Sequence, residues 1–471
     1  MDGVMPSKLV YAPVVPYLGS LHGSNLMAPL SILINGCSIA GPALASFLLL
    51  SPLPADQKPH ITVIERASTL RRAGQNIDIR GAGVTIARKL GLEGIIRAST
   101  TGEEGVQLVD DQGRIWGRFA ADKTGKTSTP TADIEILRGT LARILFDRSQ
   151  QISDDMQRQG GRGIEFVFGD YVSSLEQDHE SVHVQLARCG QRRSFDIVVG
   201  ADGLHSNTRR LAFGASADDT RIKRVGMYGA FFSLPKAPED TEWRQWYHTT
   251  GGRNIMLRPS DRPDRMTAMV AVVNDEDSRL PEAAERAPGE GTDAQKALLA
   301  EYFADAGWKC PRIMGEMMEA DDFYYDMSAQ VHMPGQHWSK GRVVLLGDAG
   351  YCASPLSGMG TTLGLVGAYK LAGCILRHPN NLDLAFHEYS REMKPTVDKA
   401  QKLAPGMPHL INPQTAWGLA VMHGLTWLMS SSGFMWLLFT VFGAGPPAHG
   451  VPVAEYGFRQ PEEWPVGENK Q

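Results

Sequence analysis

The sequence predicts an α/β fold in which a Rossmann-type part is split by an inserted β-rich domain and followed by a C-terminal helical segment. Three observations carry the prediction. Residues 30–65 read as strand, glycine turn, helix and strand. Two later apolar strands each end in an aspartate beside a glycine, at Asp202 and Asp348. Between them lies a block of short strands with period-two alternation.

In chain order, residues 1–29 mix Pro, Gly, Ser and Leu without periodicity and are expected to form a loose tail. Met27 stands just before the first apolar strand, which points to residues 1–26 lying outside the native reading frame. Residues 30–220 form the first part of the Rossmann-type domain: strand 30–35, helix 42–50, strand 60–64, a helical stretch 135–146, and strands 164–168, 182–186 and 195–200. Residues 221–335 are the mainly β domain, with strands 227–234, 254–257 and 266–273 and then a polar run rich in Glu, Ala and Pro. Residues 336–400 return to the first domain through strand 343–346 and a helix at 361–376. Residues 401–471 are an apolar helical segment and tail.

That last segment has no Lys, Arg, Asp or Glu from Leu403 to Ala454, so it is expected to be buried. Its runs 417–429 and 434–442 are separated by Ser430, Ser431, Ser432 and Gly433, and each is too short to span a bilayer. Two packed core helices and membrane contact through the block from Trp417 to Phe442 both remain open.

Composition narrows the function. The chain has 471 residues, enough for two or three structural units, and 42% hydrophobic with 21% charged residues is an ordinary globular balance. A net charge of −5 with scattered Arg pairs gives no phosphate-binding stripe, so nucleic acid is not an expected partner. Five cysteines without a C-x-x-C pair argue against disulfides and against a metal site, which fits a reducing compartment. No signal-peptide pattern can be drawn, so the expected location is cytoplasmic, with membrane association through the apolar block as the alternative.

The first turn, Gly36-Cys37-Ser38-Ile39-Ala40-Gly41, has a glycine for the bend and another for close helix packing, with Ser38 in place of the usual middle glycine. Backbone amides at such a helix start can hold a pyrophosphate. Glu65 ends the second strand, where a carboxylate can accept from both hydroxyls of an adenosine ribose. The Asp202-Gly203 and Gly347-Asp348 segments, and Pro355 to Thr361 with its bare amides, complete the set.

Through these segments, over residues 30–376, the chain resembles the FAD-dependent class A aromatic-hydroxylase-type monooxygenases. Residues 75–83 and the Arg138-Gly139-Thr140-Leu141 run are similar to the branch of tetracycline-degrading monooxygenases and fungal secondary-metabolite enzymes. The resemblance implies a glutathione-reductase-like FAD-binding domain. In it Gly36, Ser38 and Gly41 would cradle the pyrophosphate, Glu65 the ribose, and Arg138 the phosphate or ribityl side. Asp348 would bind the ribityl chain, Pro355, Gly358, Gly360 and Thr361 would line the isoalloxazine edge, Asp78 would lie near the ring, and Asp202 would support FAD and a passing nicotinamide. Gly350-Tyr351 departs from the Ala-His pair of many relatives.

The implied reaction takes electrons from NAD(P)H and oxygen from O2, through a C(4a)-hydroperoxyflavin, to hydroxylate or epoxidise a hydrophobic aromatic, polyketide or terpenoid-type metabolite. It requires no catalytic acid, base or metal from the protein, and none is assigned. Trp246, His248 and Met256 are the candidate substrate contacts, each equally readable as core packing. A flavin dehydrogenase or reductase on the same scaffold and a non-catalytic prenyl-binding escort protein are the alternatives. A halogenase is disfavoured by the lack of a W-x-W-x-I-P segment.

Overall fold

A computed structural model describes residues 28–71, 74–121, 134–285, 291–430 and 451–466. The expected tail at 1–29 therefore lies almost wholly outside the described residues, as does the apolar run 434–442.

The strand Ser31–Asn35 is at the centre of the first sheet because Ile32, Leu33 and Ile34 are buried in succession, the run a strand covered on both faces requires. It pairs in parallel with Ile197–Gly200 on one side and His60–Glu65 on the other. The full order is Ser339–Lys340, Val343–Leu345, Ile197–Gly200, Ser31–Asn35, His60–Glu65, Ile164–Phe168, and only the first of these is antiparallel to its neighbour. Helices Ala40–Leu49, Arg138–Arg158 and Gly360–Arg377 share one core with this sheet. The opposite face, through Leu33, Ile64, Val198 and Val343, packs on the meander Val172–Gln177, Val182–Leu186, Arg192–Phe195.

The second sheet has seven strands, in the order Tyr324–Val331, Ile222–Pro235, Arg265–Val273, Arg253–Pro259, Arg244–Thr249, Gly105–Val109, Ile115–Ala120. The β-rich region thus reaches beyond the expected 221–335: strands 105–109 and 115–120 leave the first domain to join it. They do so because Gly105–Val109 pairs in parallel with Arg244–Thr249, a contact across more than a hundred residues of chain that local pattern does not report. Helices Arg279–Glu285, Thr292–Tyr302 and Cys310–Glu319 close one face of this sheet around Tyr228, Phe232, Tyr247 and Ile255. The other face looks toward the first domain.

Two further expectations are corrected. The stretch 135–146 is not helical throughout: Glu135–Leu137 is a short strand antiparallel to Asn76–Asp78, and the helix begins at Arg138. Tertiary pairing and the buried partners of Glu135 override local helical spacing there. The run 417–429 is helical but not buried. Helix Ala416–Ser430 lies on strands Ile115–Ala120 and Arg244–Thr249 and buries only Thr426 fully. Among the described residues no helix is long and apolar enough to cross a membrane. Beyond it, Tyr456 and Phe458 return to pack on Phe47 and Tyr369 of the first domain.

Candidate functional site

The first turn is built by backbone meeting backbone. A Cβ on Gly36, whose φ is +118°, would stand 2.3 Å from the Ala201 carbonyl oxygen, and one on Gly41 would stand 2.0 Å from the Gly36 oxygen. Only glycine fits either place. The Gly36 amide donates to Ile64 O at 2.8 Å, which fixes the exit of the first strand. Helix Ala40–Leu49 then starts without any side-chain cap, so its first amides are open to an anion.

Glu65 and Arg138 converge on this turn. Glu65 accepts from the Cys37 amide through Oε2 and from the Ala67 amide through Oε1, both at 3.0 Å, so it holds the turn from the end of the second strand. Burial and the nearby Glu65 push the Cys37 thiol up to about 12, which leaves it inert at neutral pH. Arg138, first residue of its helix, donates to Ser38 Oγ at 3.1 Å. Burial and neighbouring Arg71 lower its guanidinium from the ordinary value, while Asp348 and Glu65 act the other way. It stays charged in the neutral range.

The third segment closes the cleft. Gly347, with φ of +65°, turns the chain so that Asp348 begins a short helix with its side chain open to the cleft. Its deep position raises the carboxyl, an effect that Arg138 opposes. Gly358, with φ of +60°, comes within contact of Asp78 Oδ2, and Gly360 within contact of Asp348 Oδ1, each at 3.8 Å from the Cβ position. Asp78 also pairs with Arg80 at 2.8 Å. Helix Gly360–Arg377 again starts without a side-chain cap, with Thr361 in its first turn and Pro355 in the preceding 3-10 turn. Thus Gly36, Ser38, Gly41, Glu65, Arg138, Asp348, Asp78, Gly358 and Gly360 line one continuous path. A glycine cradle, uncapped helix starts and a buried cation beside them suit a dinucleotide such as FAD.

Asp202 is engaged differently from the expectation. Its carboxylate accepts from Asn35 Nδ2 (3.1 Å), Ser206 Oγ (2.5 Å), Thr208 N (2.9 Å) and Thr208 Oγ1 (3.0 Å), so it ties its loop to the central strand. Tyr351, the departure from the Ala-His pair, is buried with its hydroxyl on Tyr389 at 2.7 Å. Sequence reasoning missed Thr362, whose Oγ1 donates to Arg80 O at 3.1 Å, and Arg71, whose guanidinium lies over the Tyr324 ring at 5.2 Å. Their only signals were a threonine in a helix start and an Arg pair read as surface charge.

Between the path and the sheet runs a cleft. Phe231, Met256 and Met269 give it an apolar wall, and Asn76, Arg258 and Thr267 a polar one. Met256, one of the expected substrate contacts, lines this cleft. Trp246, its cross-strand partner, turns its indole N–H to Asn254 Oδ1 at 3.1 Å. His248 is buried beside Trp246, with ring centroids 4.7 Å apart, and does not line the cleft.

Neither ring nitrogen of His248 has a well-formed hydrogen bond, the Ile411 backbone offering only a loose contact. Burial first, and His423 second, lower its pKa to about 3. The unfolded imidazole takes up a proton below about 6.5 whereas the native one stays neutral, so this site favours the fold above 6.5 and loses that contribution as pH falls. Stability at pH 5 is expected to drop by about 2 kcal/mol through this group alone. His248→Leu should flatten the denaturation midpoint against pH over that window, and an unchanged slope would contradict it.

Comparison with known proteins agrees with this geometry. The family model described as FAD binding domain matches residues 30–402. The chain is 34% identical over 405 residues to FAD-dependent monooxygenase asL6 of Sarocladium schorii, covering 85% of this chain and 92% of that one. It is 33% identical over 424 residues to flavin-dependent monooxygenase eupH of Phoma sp, covering 86% and 93%. Among solved structures, tetracycline destructase Tet(51) is similar with a TM-score of 0.65 and 29% identity, over 88% of this chain and 98% of that one. With the glycine cradle and these likenesses together, the chain belongs to the FAD binding domain family and is an FAD-dependent monooxygenase.

Proposed function

We propose that the enzyme takes electrons from NAD(P)H and uses O2 to hydroxylate or epoxidise a hydrophobic aromatic, polyketide or terpenoid-type secondary metabolite. The observation that carries this reading is the cleft, which Phe231, Met256 and Met269 line with apolar, polarisable side chains beside Asn76, two residues from Asp78. Such a wall suits a ring system, and Asn76, Arg258 and Thr267 can orient its oxygens. The similarity to a protein named tetracycline destructase supports a polycyclic substrate.

In this reading Gly36, Ser38 and Gly41 hold the FAD pyrophosphate and Arg138 neutralises its charge. Glu65 faces the ribose and Asp348 the ribityl chain, while Pro355, Gly358, Gly360 and Thr361 border the ring and Asp78 lies close to it. FAD, when bound and reduced, supplies the activation of O2. The protein aims the substrate carbon and excludes water, and no side chain is assigned as acid or base. For hydroxylation the balance is substrate, O2, NAD(P)H and one proton giving hydroxylated product, water and NAD(P)+.

The test is purified flavin-loaded enzyme with NADPH or NADH, isotopically labelled O2 and a panel of phenolic, polycyclic and terpenoid compounds. Nicotinamide oxidation stimulated by one panel member, with one labelled oxygen atom in its product, is the expected result. Turnover with an artificial electron acceptor and none with O2 would instead establish the dehydrogenase.

A further inference from the structure

Helix Ala416–Ser430 inverts the usual pattern of a surface helix. Its inward side, with Met422, His423 and Thr426, packs on Trp116 and Gly117. The His423 and Trp116 rings stack at 5.0 Å, and a Cβ on Gly117 would stand 2.4 Å from Thr426 Cγ2. The outward side carries Trp417, Val421, Leu425 and Leu428 in one stripe at helical spacing, with Trp427 and Met429 beside it. Trp417 is 77% exposed, Trp427 64% and Leu425 53%. No charged side chain occurs between Leu403 and Ala454. The outward stripe is therefore apolar with nothing to solvate it.

We infer that this stripe docks on the surface of a lipid bilayer, with the helix lying in the interface plane and its two exposed tryptophans immersed at the headgroup boundary. Three observations select this occupant. First, 15 residues make a helix of about 22 Å, shorter than a ~30 Å hydrocarbon core, so the helix fits along the membrane and not across it. Second, one face of such a helix offers roughly 250 Å², well below the ~800 Å² per partner of a stable protein interface. Third, the stretch from Phe434 to Phe442 has Thr440 as its only polar residue. The sequence there offers no polar face to set against water. A bilayer interface accepts apolar area of any extent and favours tryptophan there.

Flotation of the flavin-loaded protein with phosphatidylcholine vesicles, at low and at high salt, tests the inference. The expected result is flotation that persists at high salt, with a blue shift of tryptophan fluorescence. The triple variant Trp417→Ser, Leu425→Ser, Trp427→Ser should lose more than ~100-fold in partition coefficient, since three large side chains no longer gain from leaving water. Its flavin content and melting temperature should match those of the parent, because all three side chains are exposed. Parent protein left in the aqueous fraction would overturn the inference. So would flotation undiminished in the variant, binding confined to anionic vesicles and abolished by salt, or a dimer in vesicle-free buffer that the triple substitution dissolves.

Discussion

Gly41→Val is expected to give a folded protein that purifies without flavin. The Gly41 Cβ position lies 2.0 Å from the Gly36 carbonyl oxygen and 3.3 Å from Ile34 Cγ2, so even alanine needs the turn to open. The obstructing atom is backbone, which no rotamer change can move aside. Opening the turn shifts the amides at the start of helix Ala40–Leu49 and separates Ser38 from Arg138, so a pyrophosphate bound as proposed would lose its donors and its counter-charge together. A loss of flavin affinity on the order of a hundredfold, ~2.7 kcal/mol, follows. The measurement is the ratio of visible flavin absorbance to protein, with circular dichroism to check the fold. Gly315→Ala is the control, because its Cβ would meet nothing within 4 Å. Equal flavin content in Gly41→Val and the parent would show that this turn does not hold the cofactor.

The turn and the carboxylate beside it were legible because their determinants are local. The buried run Ile32 to Ile34, the glycines at 36 and 41 and the carboxylate at Glu65 lie within one βαβ unit, and sequence distance there is a fair guide to space. Asp348 and Gly358 were legible for the same reason, each following directly on a turn. At Asp202 the sequence left more open. An aspartate after a strand looks the same in sequence whether it faces a ligand or ties its own loop, and the contacts with Ser206 and Thr208 were not predicted. The strand 105–109 escaped notice because its partner, 244–249, lies far along the chain. The exposure of helix 416–430 escaped because lack of charge was read as burial, whereas an apolar face can also remain uncovered. Least legible were the charges that join the two domains, since Glu and Arg in a strand pattern are read as solvent-facing by default.

Those charges make Glu135→Ala the substitution with the largest expected effect on stability. Glu135 lies on the short strand of the cofactor domain, while Arg244 and Arg258 project from the seven-stranded sheet and Glu103 precedes its strand 105–109. Arg244 bonds Glu135 at 2.9 Å and Glu103 at 2.7 Å, and Arg258 bonds Glu103 at 2.9 Å and Glu135 as well. Asn76 and Thr101 donate to the remaining oxygen of Glu135 at 2.7 and 3.0 Å. Burial raises the Glu135 carboxyl, but Arg258 and Arg244 outweigh it and hold the pKa below the ordinary value, so the group is ionised at neutral pH. Truncation leaves two largely buried guanidinium groups with Glu103 as their remaining carboxylate in the cluster, takes the acceptor of Thr101 Oγ1 away and leaves Asn76 Nδ2 only Pro259 O at 3.3 Å. A cost of about 3–5 kcal/mol follows, mostly from the orphaned charge and not from the lost attraction. The double variant Glu135→Ala, Arg244→Ala should therefore be less destabilised than the sum of its parts, since it removes one of the orphans. Arg258 and Asn76 also line the cleft proposed for the substrate, so the same substitution should loosen that wall and raise nicotinamide oxidation that yields no oxygenated product. Urea unfolding followed by circular dichroism and by flavin fluorescence checks the first effect, and product yield per nicotinamide the second. A shift below ~1 kcal/mol would mean that this charge cluster does not hold the two domains together.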